Sequence, residues 1–414
     1  MLSKKTHLNL VTALIISGVF SLYVAQMNPS AVLTLIEQEY QINSTVSSFG
    51  ISVIFLPVIL FSMAGPYLQA RIGLKRTYAL ALLLGGLGVA FNVFANSFLM
   101  FCLGRVVYGA GFGLSTPFIG AAIMRWYTPL QQVRMDTVNA LLPYLGNILV
   151  FALTLPLTAV FAGSWKMALA VWGFFSFAVL LFWLLLVPGD APYAGPSLHR
   201  PEKRLYRDLL RRREILLLLI AFVCDFVSFS VITSLLPTYF QRDCGLAIET
   251  ANQLTTLFPI AGVAGGLAAY RIMSRTGRRK PLLWSGQALK AVGIALIYQG
   301  GVGPLGFTGM VLIGVGNCIW IPPMFVVPME LEGMTPARVG AAFSLITSSG
   351  FAGGLAAPVL AGTLSAHTSY GFAIFICIIP CLIGLVACLF IRETGPLAKS
   401  AKKAGGPPHP GSNA

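Results

Sequence analysis

The hydrophobic pattern of this chain repeats: residues from about 9 to 187 are answered, about 205 positions later, by residues from about 214 to 391. Arg71-Ile72-Gly73 with Lys75 and Arg76 returns as Arg275-Thr276-Gly277 with Arg278, Arg279 and Lys280. Gly109, Gly111 and Pro117 return as Gly314, Gly316 and Pro322, and Arg134 returns as Arg338. Composition alone does not place glycines, prolines and loop cations in the same order at one offset. Duplication of a six-helix unit is the economical reading.

The repeated unit is apolar. Of 414 residues 56% are hydrophobic and only 10% are charged, which no soluble domain of this size matches. A helix needs about 20 apolar residues to cross a bilayer core of about 30 Å. Twelve such spans are expected near 9–35, 44–69, 76–95, 98–124, 135–160, 165–187, 214–240, 250–272, 281–300, 305–328, 338–363 and 370–391. The first apolar run continues past Gly18 to Tyr23 and beyond with no small-residue cleavage pattern, so it reads as span 1 rather than as a cleaved signal.

Cations orient the chain. Of 28 Lys and Arg, only Arg105 and Lys290 within spans and Lys166 and Arg242 on one face escape the tails and the loops after even-numbered spans. The positive-inside bias therefore puts both termini in the cytoplasm, in a multi-pass protein of the plasma membrane. It also accounts for the net charge of +15, so no nucleic-acid partner is needed.

These assignments divide the chain into an N-terminal lobe (1–187), a cytoplasmic loop (188–213), a C-terminal lobe (214–392) and a disordered cytoplasmic tail (393–414). Within the loop, Leu205, Leu209 and neighbouring cations fit a short amphipathic helix on anionic lipid headgroups.

Enzyme chemistry finds no support. There is no zinc-type His cluster, no Gly-x-Ser-x-Gly elbow and no phosphate loop, and His7, His199, His367 and His409 all lie in tails, loops or span ends. The seven cysteines sit mostly within spans, and Cys377 and Cys381, four apart, read as packing rather than as metal ligands. No cofactor is expected beyond a coupling proton.

The loop after span 2, Arg71-Ile72-Gly73-Leu74-Lys75-Arg76, resembles the G-x-x-x-D-R-x-G-R-[RK] pattern of the major facilitator superfamily. Span 4, Gly104-Arg105-Val106-Val107-Tyr108-Gly109-Ala110-Gly111, is similar to its intramembrane R-x-x-x-G-x-G stretch. The chain departs from the loop pattern at the acid, where Ala70 stands, and at the first Gly, where Pro66 stands; the second copy has Ser274 for the acid. Gating then rests on packing and on Arg71, Arg76, Arg275 and Arg278. The glycine-proline signature of drug antiporters is missing from span 5. The resemblance implies an all-α polytopic fold of twelve transmembrane helices in two pseudo-symmetric six-helix lobes. It further implies that spans 1, 4, 7 and 10 line a central cavity and that spans 3, 6, 9 and 12 are peripheral.

A charge near the bilayer centre costs about 2.5 to 3.5 kcal/mol on insertion scales, so buried charges are functional candidates. Asp225 lies about midway along span 7 and is the candidate proton-coupling group. Arg105 is read as an oxyanion contact, although the resemblance also implies that this Arg bonds span 1 carbonyls and fixes the bundle. Lys290, on span 9, is expected to snorkel toward headgroups. Tyr23, Gln26, Asn28, Tyr108, Ser228, Asn317 and Trp320 complete the candidate solute site.

Two buried cations against one anion favour a small anionic or zwitterionic solute. The expected function is secondary transport of a small carboxylate or oxyanion by alternating access, as a proton-coupled symporter. The protein is expected to act as a monomer, with solute and membrane lipid as its partners. The alternatives are an exporter of amphiphilic compounds and a transporter-like receptor.

Overall fold

The computed structural model describes residues 4–127, 129–187, 203–334 and 336–395, and every regular element among them is helical. The expected tail disorder falls on 396–414, outside the described residues, as do 188–202 of the inter-lobe loop.

Span 1 is broken into Lys4–Met27, a 3-10 turn Asn28–Val32 and Leu33–Tyr40, and span 2 into Ser44–Ser52 and Phe55–Ile72. Spans 3 to 6 are Leu74–Ala90, Phe98–Trp126, Pro129–Val160 and Trp165–Leu186. Span 7 is Arg213–Arg242; span 8 is Ile248–Thr255 with Leu257–Thr276; span 9 is Lys280–Gly300. Span 10 breaks at Trp320 into Pro304–Ile319 and Ile321–Glu330; span 11 is Pro336–His367, and span 12 is Tyr370–Phe375 with Ile378–Phe390. Eleven stretches among the described residues are long and apolar enough to cross a membrane; span 9, which carries Gln287 and Lys290, is not one of them.

Each lobe packs by one scheme. Span 4 lies against spans 2 and 3, and span 10 against spans 8 and 9; span 1 touches 5 and 6, and span 7 touches 11 and 12. With both sides of an interface apolar, helices approach closely where side chains are small. A Cβ on Gly104 would stand 2.8 Å from Gly88 O, and one on Gly309, 205 positions later, 2.6 Å from Gly293 O. The repeat seen in sequence is thus a repeat of backbone-to-backbone contacts. The lobes meet where span 2 packs on span 11 and span 5 on span 8.

The amphipathic segment does form a helix, Lys203–Leu210, but Leu209 is buried against Ile215 of span 7 and Ala342 of span 11. At Leu209 the helix is seated on protein, whereas Leu210 is 43% exposed.

Replacing Gly104 or Gly309 by Ala should each lower stability by about 1–3 kcal/mol through overpacking, whereas Leu99→Ala, at a 70% exposed position, should stay within about 0.5 kcal/mol. Thermal melting of the purified variants decides; equal melting of all three contradicts the close-packed interfaces.

Candidate functional site

The break in span 1 originates in its sequence. Pro29 has no N–H, so Ala25 O loses the partner it would have in a continuous helix, and the 3-10 turn removes that of Gln26 O. Span 2 breaks after Ser52; Phe49 O still accepts from Val53 N, but Gly50 O and Ile51 O lose their helical backbone donors. Arg105 reaches both breaks from span 4. Its Nη1 donates to Ala25 O at 2.8 Å and Nη2 to Gln26 O at 2.6 Å, while Nε and Nη2 donate to Gly50 O and Ile51 O at 3.4 Å each. Both breaks are helix C-termini, whose partial negative charge suits a cation. No carboxylate lies within ion-pair distance of this guanidinium among the described residues. Of the two roles expected of Arg105, these bonds are the structural one: the guanidinium staples spans 1, 2 and 4, with carbonyls of span 1 among its acceptors.

Asp225 is 3% exposed, and its partner is Lys290 rather than Arg105 or Ser228. Lys290 Nζ meets Asp225 Oδ1 directly, and Gln287 Nε2 lies 3.4 Å from the same oxygen. Lys290 is fully buried, not snorkelled. Its inward aim follows from packing, because Gly286, Lys290 and Gly293 share the face of span 9 that lies against span 10.

Several other expected site residues turn into their own lobes. Tyr108 Oη donates to Leu22 O at 2.5 Å. Ser228 Oγ bonds Cys224 O and Cys377 O of span 12. Trp320 is buried among Phe222, Met324 and Leu283, with Lys290 Nζ 5.8 Å from its ring centre. These three are lobe-packing groups. Tyr23 packs edge-on against Phe112 of span 4, and Gln26 and Asn28 are buried at the span 1 break. Asn317 Nδ2 donates across the lobe boundary to Tyr144 Oη of span 5 at 2.9 Å.

Further groups join the lobes, and sequence reasoning missed them. Phe55 of span 2 contacts Phe226 of span 7 and Phe351 of span 11, and Phe351 also meets Phe112. At the end of the bundle opposite the cation-rich loops, Arg242 Nη2 pairs with Glu37 Oε2 at 2.5 Å. Ser44 Oγ donates to Gly362 O at 3.2 Å and Asn252 Nδ2 to Ala31 O at 2.9 Å. A cavity of about 480 Å³ opens there, lined by Glu37, Asn43, Arg242, Ser365 and Tyr370 among others. The neighbouring Glu39 holds Lys166 at 2.5 Å and accepts from Trp165 Nε1. Thus the only two cations of that face both bind one short helix, Leu33–Tyr40, one from each lobe. The signal was present in sequence as isolated cations opposite isolated acids.

On the cation-rich face, Arg71, Arg76, Arg275 and Arg278 are exposed, and none forms an ion pair among the described residues. Arg279 is paired instead, 3.1 Å from Glu330, as is Arg392, 3.9 Å from Glu214, while Glu393 accepts from the Arg279 and Lys280 backbone N–H groups at the start of span 9. The side chains of Pro66, Ala70 and Ser274 lie outside the described ones.

If Pro29 creates the need that Arg105 meets, the two must be coupled. Arg105→Lys should destabilise the protein strongly, since each bared buried acceptor costs about 1–3 kcal/mol. In a Pro29→Ala background, with the N–H restored, the same change should cost less, giving a coupling of about 0.5–3 kcal/mol in a double-mutant melting cycle. Additive losses contradict the staple.

The arrangement matches known proteins. The profile of the Major Facilitator Superfamily matches residues 14–333. The hexuronate transporter of Bacillus subtilis (strain 168) is 22% identical over 326 residues, covering 75% of each chain. Vesicular glutamate transporter 1 of Bos taurus is 22% identical over 306 residues, 64% of this chain and 51% of that protein, so the chain spans about half the length of that relative. Among solved structures, the partially occluded inward-open xylose transporter XylE from E. coli superposes with a TM-score of 0.75 at 14% identity, covering 94% of this chain and 99% of the other. The fold, the repeat and the profile agree: this chain belongs to the Major Facilitator Superfamily, a family of multi-pass secondary transporters rather than enzymes.

Proposed function

We propose that the protein carries a small organic anion together with a proton by alternating access, with the cation-rich face in the cytoplasm and Asp225 as the proton-binding group. The observation that carries this reading is Arg105, a buried cation held by carbonyls with no carboxylate paired to it. The neighbouring charges, Lys290 and Asp225, cancel. The resting interior therefore keeps one excess positive charge, which favours an anion over an organic cation.

The same balance explains coupling. A proton on Asp225 releases Lys290 and adds one positive charge, and an anionic solute adds one negative charge. With the interior already one charge positive, the proton alone raises the buried charge to two and carries the larger desolvation cost, which a bound anion offsets, so the solute favours proton binding. The titratable side chains that interact electrostatically with Asp225 are Lys290, Tyr144 and the cysteines Cys224, Cys318, Cys381 and Cys388. The names of the relatives, hexuronate and glutamate transporters, describe carboxylate solutes. The Glu37–Arg242 pair and the Ser44–Gly362 bond serve in this reading as the closure of the outer face, while Arg71, Arg76, Arg275 and Arg278 remain the cytoplasmic gate candidates.

In proteoliposomes, Asp225→Asn should retain counterflow exchange of a labelled carboxylate and lose its pH-gradient-driven accumulation by about tenfold or more. Accumulation at the wild-type level removes Asp225 as the coupling group. A disulfide between Glu37→Cys and Arg242→Cys should stop transport, and reduction should restore it. Continued transport by the cross-linked protein contradicts closure at that face.

A further inference from the structure

The turn that breaks span 1 is surrounded by polar groups that nothing satisfies. Asn28 and Ser30 lie in it, each 1% exposed, and neither Asn28 Nδ2 nor Ser30 Oγ has a hydrogen-bond partner among the described residues. Among the other buried groups without a partner, two donors belong with these, Asn147 Nδ2 on span 5 and Ser230 Oγ on span 7, 2% and 0% exposed; beside the turn there is also one unspent acceptor, Oδ1 of Asn252 on span 8, whose Nδ2 donates to Ala31 O.

The three elements come together around one apolar cluster. Val24 precedes the turn and Ala31 lies in it, Val150 and Phe151 follow Asn147, Val231 follows Ser230, and all five belong to that cluster. Gly146, next to Asn147, brings span 5 so close to span 1 that a Cβ on it would stand 3.2 Å from Val24 N. Thr233, one turn beyond Ser230, reaches Met27 Sδ at 3.8 Å. The four unspent groups therefore border the same region between spans 1 and 5 of one lobe and span 7 of the other.

Every one of them can donate. Buried polar groups are rarely left without a partner, and a cluster of unspent donors calls for a ligand made of acceptors. We infer that Asn28, Ser30, Asn147 and Ser230 form the solute site, and that its solute is a small polyhydroxylated carboxylate, a sugar acid in chemical class. Carboxamide and hydroxyl donors suit carboxylate, hydroxyl and ring oxygens alike. No acidic side chain belongs to the cluster, so an ammonium group finds no compensating charge there, and Asn252 Oδ1 is the one unspent acceptor beside it. Arg105, bonded to Ala25 O and Gln26 O just before the turn, contributes positive potential without giving up its hydrogen bonds. A solute held by both lobes is also what a rocking mechanism needs. This inference rests on the anion reading above and assigns its site and substrate class.

The test titrates the purified full-length protein with D-glucuronate, glutamate and D-glucose, using calorimetry for affinity and melting of the ligand-free protein for stability. The wild type should prefer D-glucuronate by about tenfold over the other two. Asn147→Leu and Ser230→Ala should each weaken D-glucuronate by about tenfold and leave the ligand-free melting temperature unchanged or raised, because each removes an unspent donor. Asn28→Leu should behave likewise, and the other two variants carry the test if the turn does not tolerate it. Affinities within twofold of wild type in Asn147→Leu and Ser230→Ala overturn the site, as does a lost affinity accompanied by a fall in ligand-free melting, the mark of a structural bond. Equal binding of glutamate overturns the polyhydroxylated class. Binding of D-glucose without binding of either acid overturns the anion reading itself, whatever the asparagines do.

Discussion

Four backbone carbonyls converge on one guanidinium, and the architecture of the N-terminal lobe depends on that contact. A continuous helix would satisfy Ala25 O and Gln26 O internally, but Pro29 withdraws a donor, and a bare carbonyl in hydrocarbon costs several kcal/mol. Arg105 meets this need and simultaneously closes the last turn of Ser44–Ser52. The staple permits span 1 to bend at Asn28–Val32, and the bend aims Leu33–Tyr40 at the other lobe, where Glu37 finds Arg242. Because carbonyls rather than a carboxylate hold Arg105, its charge remains uncompensated inside the protein. One residue thus supplies both the shape of the central region and its electrostatic sign.

The C-terminal lobe solves a different problem at a different place. Asp225 and Lys290 neutralise each other between spans 7 and 9, with Gln287 beside them and Trp320 against the ammonium group. The duplicated scaffold is nearly symmetric in its glycine contacts and asymmetric in its charges. Positions 205 residues from Arg105 and Asp225 hold Met310 and Phe20, so each lobe carries its own polar device. A neutralised ion pair in one lobe and an unpaired cation in the other is the asymmetry on which the proposed coupling rests.

Much of the fold was legible because its causes are local or periodic. Span lengths, loop cations and the repeated glycines at 109 and 314 are statements about one helix and its nearest neighbour. The depth of Asp225 was likewise countable along span 7. Its partner was not, because depth says nothing about azimuth, and span 9 was taken as peripheral. The spacing of Gly286, Lys290 and Gly293 carried the missing information, since small residues mark the face that packs, and Lys290 lies on it. Arg105 was legible in part: a buried fork suits an oxyanion or carbonyls equally, and Pro29, some 76 positions earlier in the chain, creates the bare carbonyls that it meets. The Tyr144–Asn317 bond and the phenylalanine contacts of Phe55 and Phe351 join segments from different lobes, which periodicity within a lobe does not register.

The claim that Arg105 shapes the site instead of binding the solute is tested most directly by hydrogen–deuterium exchange of Arg105→Lys against the wild type. A single ammonium cannot span four carbonyls in two helices. Exchange should rise around residues 22–33 and 48–56, at the two breaks, and stay unchanged in span 9 around the Asp225–Lys290 pair. If both breaks keep wild-type protection in the variant while anion binding is lost, the guanidinium is a solute ligand and the staple account is wrong.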